Sequence, residues 1–226
     1  MFGYNIDIVM CISATSSMSP IIDELKCHAL AFCEKTKDAM EKYDIELYEL
    51  RIKIIVFRGC LHDGENMCES RFFLLPEENT DFAEFVNNIE VYGIGDNSNN
   101  ALEAVALAMK SDWSNEGDRY LRRNFILVFS DAPACLFGDK TVSQKHAYTM
   151  PSDINQLRAW WEGTNQTFER RFKRHLLAFV PNVYPWNEMI EWNRCWPHFF
   201  NVGEGLYDLN MQTVIDLLVD TYIKTF

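Results

Sequence analysis

The chain has 226 residues, of which 48% are hydrophobic and 14% aromatic, so it has enough apolar material for one large domain with a continuous core. Its formal net charge of −12 excludes nucleic acid as an expected partner, because phosphate neutralisation needs clustered Lys and Arg. The one basic cluster, residues 170–174, is better explained as a helix end that the helix dipole favours. No apolar run approaches the roughly 20 residues that cross a bilayer, so no membrane partner is expected.

The first part of the chain predicts a strand, a polar turn and a helix. Residues 6–12 form a nearly unbroken apolar run, which is typical of a parallel strand that is buried on both faces. A hydroxyl-rich turn follows at residues 13–17, and Pro20 then stands where the first turn of a helix accepts it. Apolar residues at helical spacing continue this helix to about Lys42.

The middle of the chain repeats the alternation. Residues 50–57 predict a second strand, and residues 71–75 predict a short third strand after a polar loop. Thr80 is expected to cap a helix over the apolar positions that follow it. A long polar loop at residues 93–100 then precedes a strongly helical segment at residues 101–111.

The last part predicts three more strands and two more helices. The strands are the apolar runs at residues 125–129, 176–180 and 199–202, and the helices begin at Ser152 or Asp153 and at Asn210. Strands that alternate with helices favour a mostly parallel sheet covered on both faces. Right-handed crossovers then favour a doubly wound, Rossmann-like α/β fold of about six strands, in a single domain over residues 1–226.

Three polar loops are predicted to leave the carboxyl ends of strands, where ligands of such sheets bind at the topological switch point. The candidate ligands among their side chains are Ser13, Thr15, Ser17, Asp96 and Asp131. Hydroxyl and carboxylate oxygens, without thiolate or imidazole, suit Mg²⁺ or Mn²⁺. The sequence therefore predicts a divalent cation site that is built from these five residues.

The same loops resemble the von Willebrand factor A (vWA) family. That family carries Asp-x-Ser-x-Ser after its first strand, Thr or Asp in a second loop, and Asp after its fourth strand. The corresponding segments here are SATSS at residues 13–17, GIGD at residues 93–96 and FSD at residues 129–131. The resemblance is to bacterial single-domain members, and it implies the vWA fold with a metal-ion-dependent adhesion site (MIDAS).

The chain departs from the family pattern at Ser13, which stands where the family has Asp and removes one negative charge from the implied site. In the family that Asp acts through water or behind the metal ligands, while the two hydroxyls bind directly, so Thr15 and Ser17 preserve the direct donors. We hypothesise that Asp96 and Asp131 together balance the cation. The alternative is a degenerate, metal-free site, whose hydroxyls cap the following helix and whose Asp131 caps a turn or accepts backbone hydrogen bonds beneath the sheet.

The resemblance implies a non-catalytic protein-interaction module, in which a partner's Asp or Glu completes the metal shell, in a bacterial stress or defence pathway. One alternative is a metal-dependent hydrolase or phosphotransferase that uses Asp131 at the same switch point. Another is a structural subunit with a vestigial metal site, which oligomerises through the aromatic-rich segment at residues 184–200. Seven scattered cysteines, without a CxxC pair or a recognisable signal peptide, favour the reducing cytoplasm.

Overall fold

The structure is a computed structural model that describes residues 3–59, 67–93, 98–114, 121–137, 150–163 and 173–224. Within these residues one sheet contains the strands β1 (Gly3–Ser13), β2 (Glu46–Phe57), β3 (Met67–Glu69), β4 (Phe73–Leu75), β5 (Arg122–Phe129), β6 (Lys173–Pro181) and β7 (Cys195–Phe200). The α-helices are α1 (Ser19–His28), α2 (Phe32–Glu41), α3 (Asn79–Asn87), α4 (Ala101–Met109), α5 (Ile154–Glu162) and α6 (Met211–Lys224).

The order of the strands creates a switch point in the middle of the sheet. The order is β3-β2-β1-β5-β6-β7, with β4 paired to β2, and all neighbours are parallel except the short β3 and β4. The chain leaves β1 for β2 on one side and later returns to β5 on the other side. The loops after β1 and β5 therefore meet where the winding direction reverses, which is the ligand site of doubly wound sheets.

Residues 8–12 of β1 are apolar without a break because helices cover both faces of the sheet. Ile8 and Met10 pack into one core with residues of α1, α2, α3 and α6. Val9 and Cys11 pack into a second core with residues of α4 and α5. The alternation of apolar and polar residues disappears when both faces are buried, which is why an unbroken run predicts this strand well.

A buried ion pair at the opposite end of the sheet ties three strands in register. Asp7 of β1 is fully buried, and Arg51 of β2 donates from Nε to its Oδ1 at 2.9 Å. Arg122 of β5 places Nη1 3.6 Å from the same oxygen. With this register Ile12 lies opposite Phe129, so the polar loops after β1 and β5 begin at the same level.

The sheet differs from expectation in its strand number and in its last strand. Seven strands are described instead of about six, because Met67–Glu69 pairs with β2 in a segment that has the composition of a polar loop. The last strand is Cys195–Phe200 and not residues 199–202. Pro197 lies in the middle of it, a position that sequence reasoning assigns to non-strand structure and that only edge strands tolerate.

Three helix starts can be compared with expectation. Asp153 and Asn210 are confirmed as caps, since Asp153 accepts a hydrogen bond from Gln156 N at 2.8 Å and Asn210 accepts one from Thr213 N at 2.9 Å. The cap predicted at Thr80 is wrong, because α3 begins at Asn79 without a side-chain cap bond. None of the described helices has the length and apolar character of a membrane span.

Candidate functional site

Three hydroxyl groups after β1 are hydrogen-bonded to one another. Ser13 Oγ lies 3.2 Å from Thr15 Oγ1, which lies 3.3 Å from Ser17 Oγ. Ser13 and Thr15 are buried and Ser17 is half-buried. The 3₁₀ turn Ser16–Met18 and the helix α1 both begin without a side-chain cap bond. The hydroxyls therefore do not cap the helix here, and their oxygens form one row at the switch point.

Asp131, two residues after the end of β5, is buried and bonded to backbone N–H groups through both its carboxylate and its backbone oxygen. Its side chain is 1% exposed, and its Oδ2 accepts a hydrogen bond from Gly205 N at 3.1 Å. Its backbone oxygen accepts another from Gly203 N at 2.8 Å. A carboxylate offers about four lone-pair directions, so one backbone donor leaves capacity for a cation.

The second loop is anchored to the first at its beginning. Tyr92 N donates to Ala14 O at 3.2 Å, and Ser16 Oγ donates to Gly93 O at 2.8 Å. Asp96, the residue that was predicted to supply a second carboxylate, lies outside the described residues. Its participation therefore stays a prediction.

Asn99 joins the end of the second loop to the loop after β5. It is fully buried, and its Nδ2 donates to Ser130 Oγ at 2.8 Å. Its backbone N donates to Pro133 O at 3.0 Å, and its backbone oxygen accepts from Cys135 N at 2.8 Å. One asparagine thus satisfies polar groups of both loops and fixes their distance, which is the usual role of a buried, fully bonded amide.

Gly205, in the loop after β7, brings this loop into contact with the loop after β1. Its N–H binds Asp131, its φ is +63°, and a Cβ at this position would overlap the carbonyl oxygen of Ser17. Only glycine allows both the left-handed conformation and this close approach. The loops after β1, after α3, after β5 and after β7 consequently contact one another in a ring around the switch point.

The hydroxyls and Asp131 are predicted from the sequence and lie together in the structure, whereas Asn99 and Gly205, which hold these loops together, are not predicted. Asn99 resembles any other polar residue of a loop with three asparagines. The only signal for Gly205 is the spacing of two glycines in the segment NVGEG, which by itself predicts a turn. The partner atoms of both residues lie far away in the chain, so nothing local marks them.

The aromatic-rich segment at residues 184–200 contributes mainly to the core. Trp186 and Trp192 are buried, and Trp186 Nε1 donates to Ala132 O at 3.0 Å, which supports the loop that carries Asp131. Tyr184 and Phe199 are exposed. Packing therefore explains the tryptophans, and a smaller exposed part of the segment is left for contacts with other molecules.

The donor set at the switch point determines which cofactor it fits. The described residues contain no group of three or more His, Cys, Asp or Glu side chains placed to hold a metal ion. The ring instead offers three hydroxyls and one carboxylate, a hard oxygen set that fits Mg²⁺ or Mn²⁺ with water in the remaining positions.

No family model matches the chain, and no curated protein matches it. Among solved structures it is similar to the pilus adhesin SpaC of Lactobacillus rhamnosus GG in its open conformation, with a TM-score of 0.53, 11% identity, and coverage of 99% of this chain and 30% of the adhesin. A second structure of that adhesin gives a TM-score of 0.53, 10% identity, and coverage of 99% and 31%. Proximal thread matrix protein 1 from the mussel byssus gives a TM-score of 0.50, 8% identity, and coverage of 98% and 49%. At such identities the likeness shows the fold alone, and this chain spans less than half of each of these proteins.

Proposed function

We propose that the protein is a vWA-type interaction module that binds Mg²⁺ or Mn²⁺ through a modified MIDAS and recognises a carboxylate on a partner protein. The observation that carries the proposal is the row of hydroxyls at Ser13, Thr15 and Ser17, which bond to one another beside the switch point and leave the following helix uncapped. Hydroxyls that served only as helix caps would instead accept hydrogen bonds from the free N–H groups at the start of that helix.

The replacement of the family's Asp by Ser13 affects the strength of the proposed site more than its geometry. Thr15 and Ser17 keep the direct donors, and Asp131 supplies one carboxylate. A cation with fewer negative ligands binds more weakly to the protein but attracts a partner's Asp or Glu more strongly, because less of its charge is neutralised. Asp96 belongs to this proposal as the second carboxylate.

The first test is calorimetric titration of Mg²⁺ and Mn²⁺ into protein that has been stripped of metal. We expect binding that is lost in Asp131→Asn and weakened in Asp96→Ala. Asp216→Asn is the matched control, because Asp216 is an exposed aspartate of α6. Unchanged binding in Asp131→Asn would place the cation elsewhere, and no binding to the wild type would mean that the site is vestigial.

A second test examines whether a carboxylate can complete the metal shell. Bound Mn²⁺ with an exchangeable water increases the relaxation rate of solvent protons. Acetate should lower this enhancement when it displaces that water, whereas the neutral analogue acetamide should not. The same protein should be assayed with p-nitrophenyl phosphate, since metal-dependent turnover lost in Asp131→Asn would favour the hydrolase or phosphotransferase alternative.

A further inference from the structure

A second site lies beside β2, at the start of the loop that follows this strand. A cavity of about 240 Å³ opens here between β2, β3 and the end of α3. Its walls are largely apolar and include Val56, Phe85 and Ile89. Arg58 and Tyr92 also line it, and Cys68, an exposed free thiol, lines it as well.

Arg58 is a buried cation in this apolar setting. It is 8% exposed, and its Nη2 donates to Glu90 O at 2.8 Å. Its guanidinium carbon lies 4.1 Å from the centroid of the Tyr92 ring. Its Nε is buried and has no hydrogen-bond partner in the described structure. A guanidinium has five N–H donors, and among the described residues Nε is the one that is buried without an acceptor.

No carboxylate compensates this charge in the part of the chain that the structure describes. The salt bridges found there involve other residues. A buried guanidinium without a carboxylate is costly, because it loses hydration without gaining a counter-charge. An anion that entered the cavity would supply that charge and would accept hydrogen bonds from the guanidinium.

We propose that this cavity binds a small monocarboxylate with an apolar body, such as a medium-chain fatty acid or an arylalkanoic acid. The carboxylate would pair with Arg58, and the body would pack against Val56, Phe85 and Ile89. A single cation with Glu90 nearby favours a monoanion over a phosphate dianion. The cavity is slightly smaller than the roughly 300 Å³ at which sites for drug-sized molecules begin, which favours a short chain or a single ring.

Cys68 provides a direct readout of occupancy. We would measure the rate of its alkylation by iodoacetamide with mass spectrometry of the peptides, with and without octanoate, in EDTA so that the result does not depend on any metal site. At about four times the Kd, octanoate should slow alkylation of Cys68 by about fivefold, because the empty fraction falls as 1/(1 + [L]/Kd). Cys27 is the internal control, since it is also an exposed free thiol and lies outside the cavity, and its rate should not change.

Neutral and inorganic probes test the chemistry on the folded wild-type protein. Octanol has a similar chain without the charge, and protection of Cys68 by octanol equal to that by octanoate would overturn the role of Arg58. Inorganic phosphate has the charge without the chain, and stronger protection by phosphate would overturn the assignment to a monocarboxylate. Absence of protection by octanoate and by 3-phenylpropionate would overturn the proposal as a whole.

Two variants complete the test. Arg58→Gln should raise the Kd of octanoate at least about tenfold, which is the size expected when a charge-assisted hydrogen bond is lost. Arg71→Gln is the matched control, because Arg71 lies outside the cavity and already pairs with Glu78 and Asp81. If Arg58→Gln does not fold, Phe85→Ala provides a second test, since it removes part of the apolar wall. It should weaken the binding of octanoate, while acetate should remain a poor ligand of both proteins.

Discussion

At the scale of single residues, one glycine, Gly205, allows the loops after β1, β5 and β7 to lie close together at the switch point. Gly205 donates to the buried Asp131 carboxylate and lies against the Ser17 carbonyl, so one residue without a side chain connects the predicted acid to the predicted hydroxyls. A larger residue would have to move one of these two loops. The geometry of the candidate metal site is therefore set by a position that carries no metal-binding chemistry of its own.

Substitution of this glycine should be more costly than substitution of its neighbour. Gly205→Ala should lower the free energy of unfolding by about 2–4 kcal/mol, the sum of left-handed strain and of an overlap with backbone. Gly203→Ala is the matched control: Gly203 also has a positive φ, +75°, but no atom lies within 4 Å of its added Cβ. It should cost only about 1–2 kcal/mol. Urea denaturation measures both values, and equal losses would contradict the close contact with Ser17.

At the scale of elements, the sequence predicts the central strands well and the periphery poorly. The apolar runs of β1 and β5 are long and unbroken because both faces are buried, and their polar continuations at Ser13 and Ser130 mark the strand ends. The edge strand β7 lacks this signal, since it is only partly buried and contains Pro197. Asn99 and Gly205 could not be predicted, because their roles depend on which distant loops the strand order brings together.

Strand β7 nevertheless packs through a regular row of rings across three strands. Phe129 of β5, Phe179 of β6 and His198 of β7 are stacked, with ring centroids 5.1 and 5.3 Å apart. Phe129 and Phe179 are paired in the sheet register, as are Phe179 and His198. Burial in this row lowers the pKa of His198. The edge of the sheet is thus packed by a side chain whose protonation the core disfavours.

Stability should therefore fall as the pH falls below neutrality. In the unfolded chain His198 has its ordinary pKa of about 6.5, whereas in the folded protein its pKa is lower. The unfolded state binds the proton first, so the contribution of His198 is complete above about pH 7, decreases below pH 6.5, and is lost as the pH falls through the folded pKa. His198→Phe should have a smaller loss of unfolding free energy between pH 7.5 and pH 5 than the wild type, as measured by urea denaturation at both values.

A second variant separates titration from ring packing. His198→Gln also lacks the titrating group but loses the aromatic surface, so it should be less stable at every pH while showing the same reduced pH dependence as His198→Phe. If both variants kept the pH dependence of the wild type, the titration would have to come from a group other than His198.

At the scale of the whole molecule, one cysteine bears on the compartment in which the protein folds. Cys135 is disulfide-bonded, whereas Cys11, Cys27, Cys33, Cys68 and Cys195 are free. Disulfides persist in oxidising compartments and are rare in the cytoplasm, so this bond weighs against the cytoplasmic expectation, which stays a prediction. Cys135 also donates its backbone N–H to Asn99, which places the bond next to the residue that joins two loops of the candidate site.

Reduction should therefore loosen the molecule around that site. Dithiothreitol should lower the free energy of unfolding of the wild type by about 2–4 kcal/mol, the usual contribution of a native disulfide. Cys135→Ser should have the stability of the reduced wild type and should not respond to dithiothreitol, whereas Cys27→Ser, which changes an exposed free thiol, should respond as the wild type does. Mass spectrometry of a non-reduced digest would identify the linked peptides. If reduction left the stability of the wild type unchanged, the fold would not depend on the disulfide. The disulfide would then no longer weigh against the predicted cytoplasmic localisation.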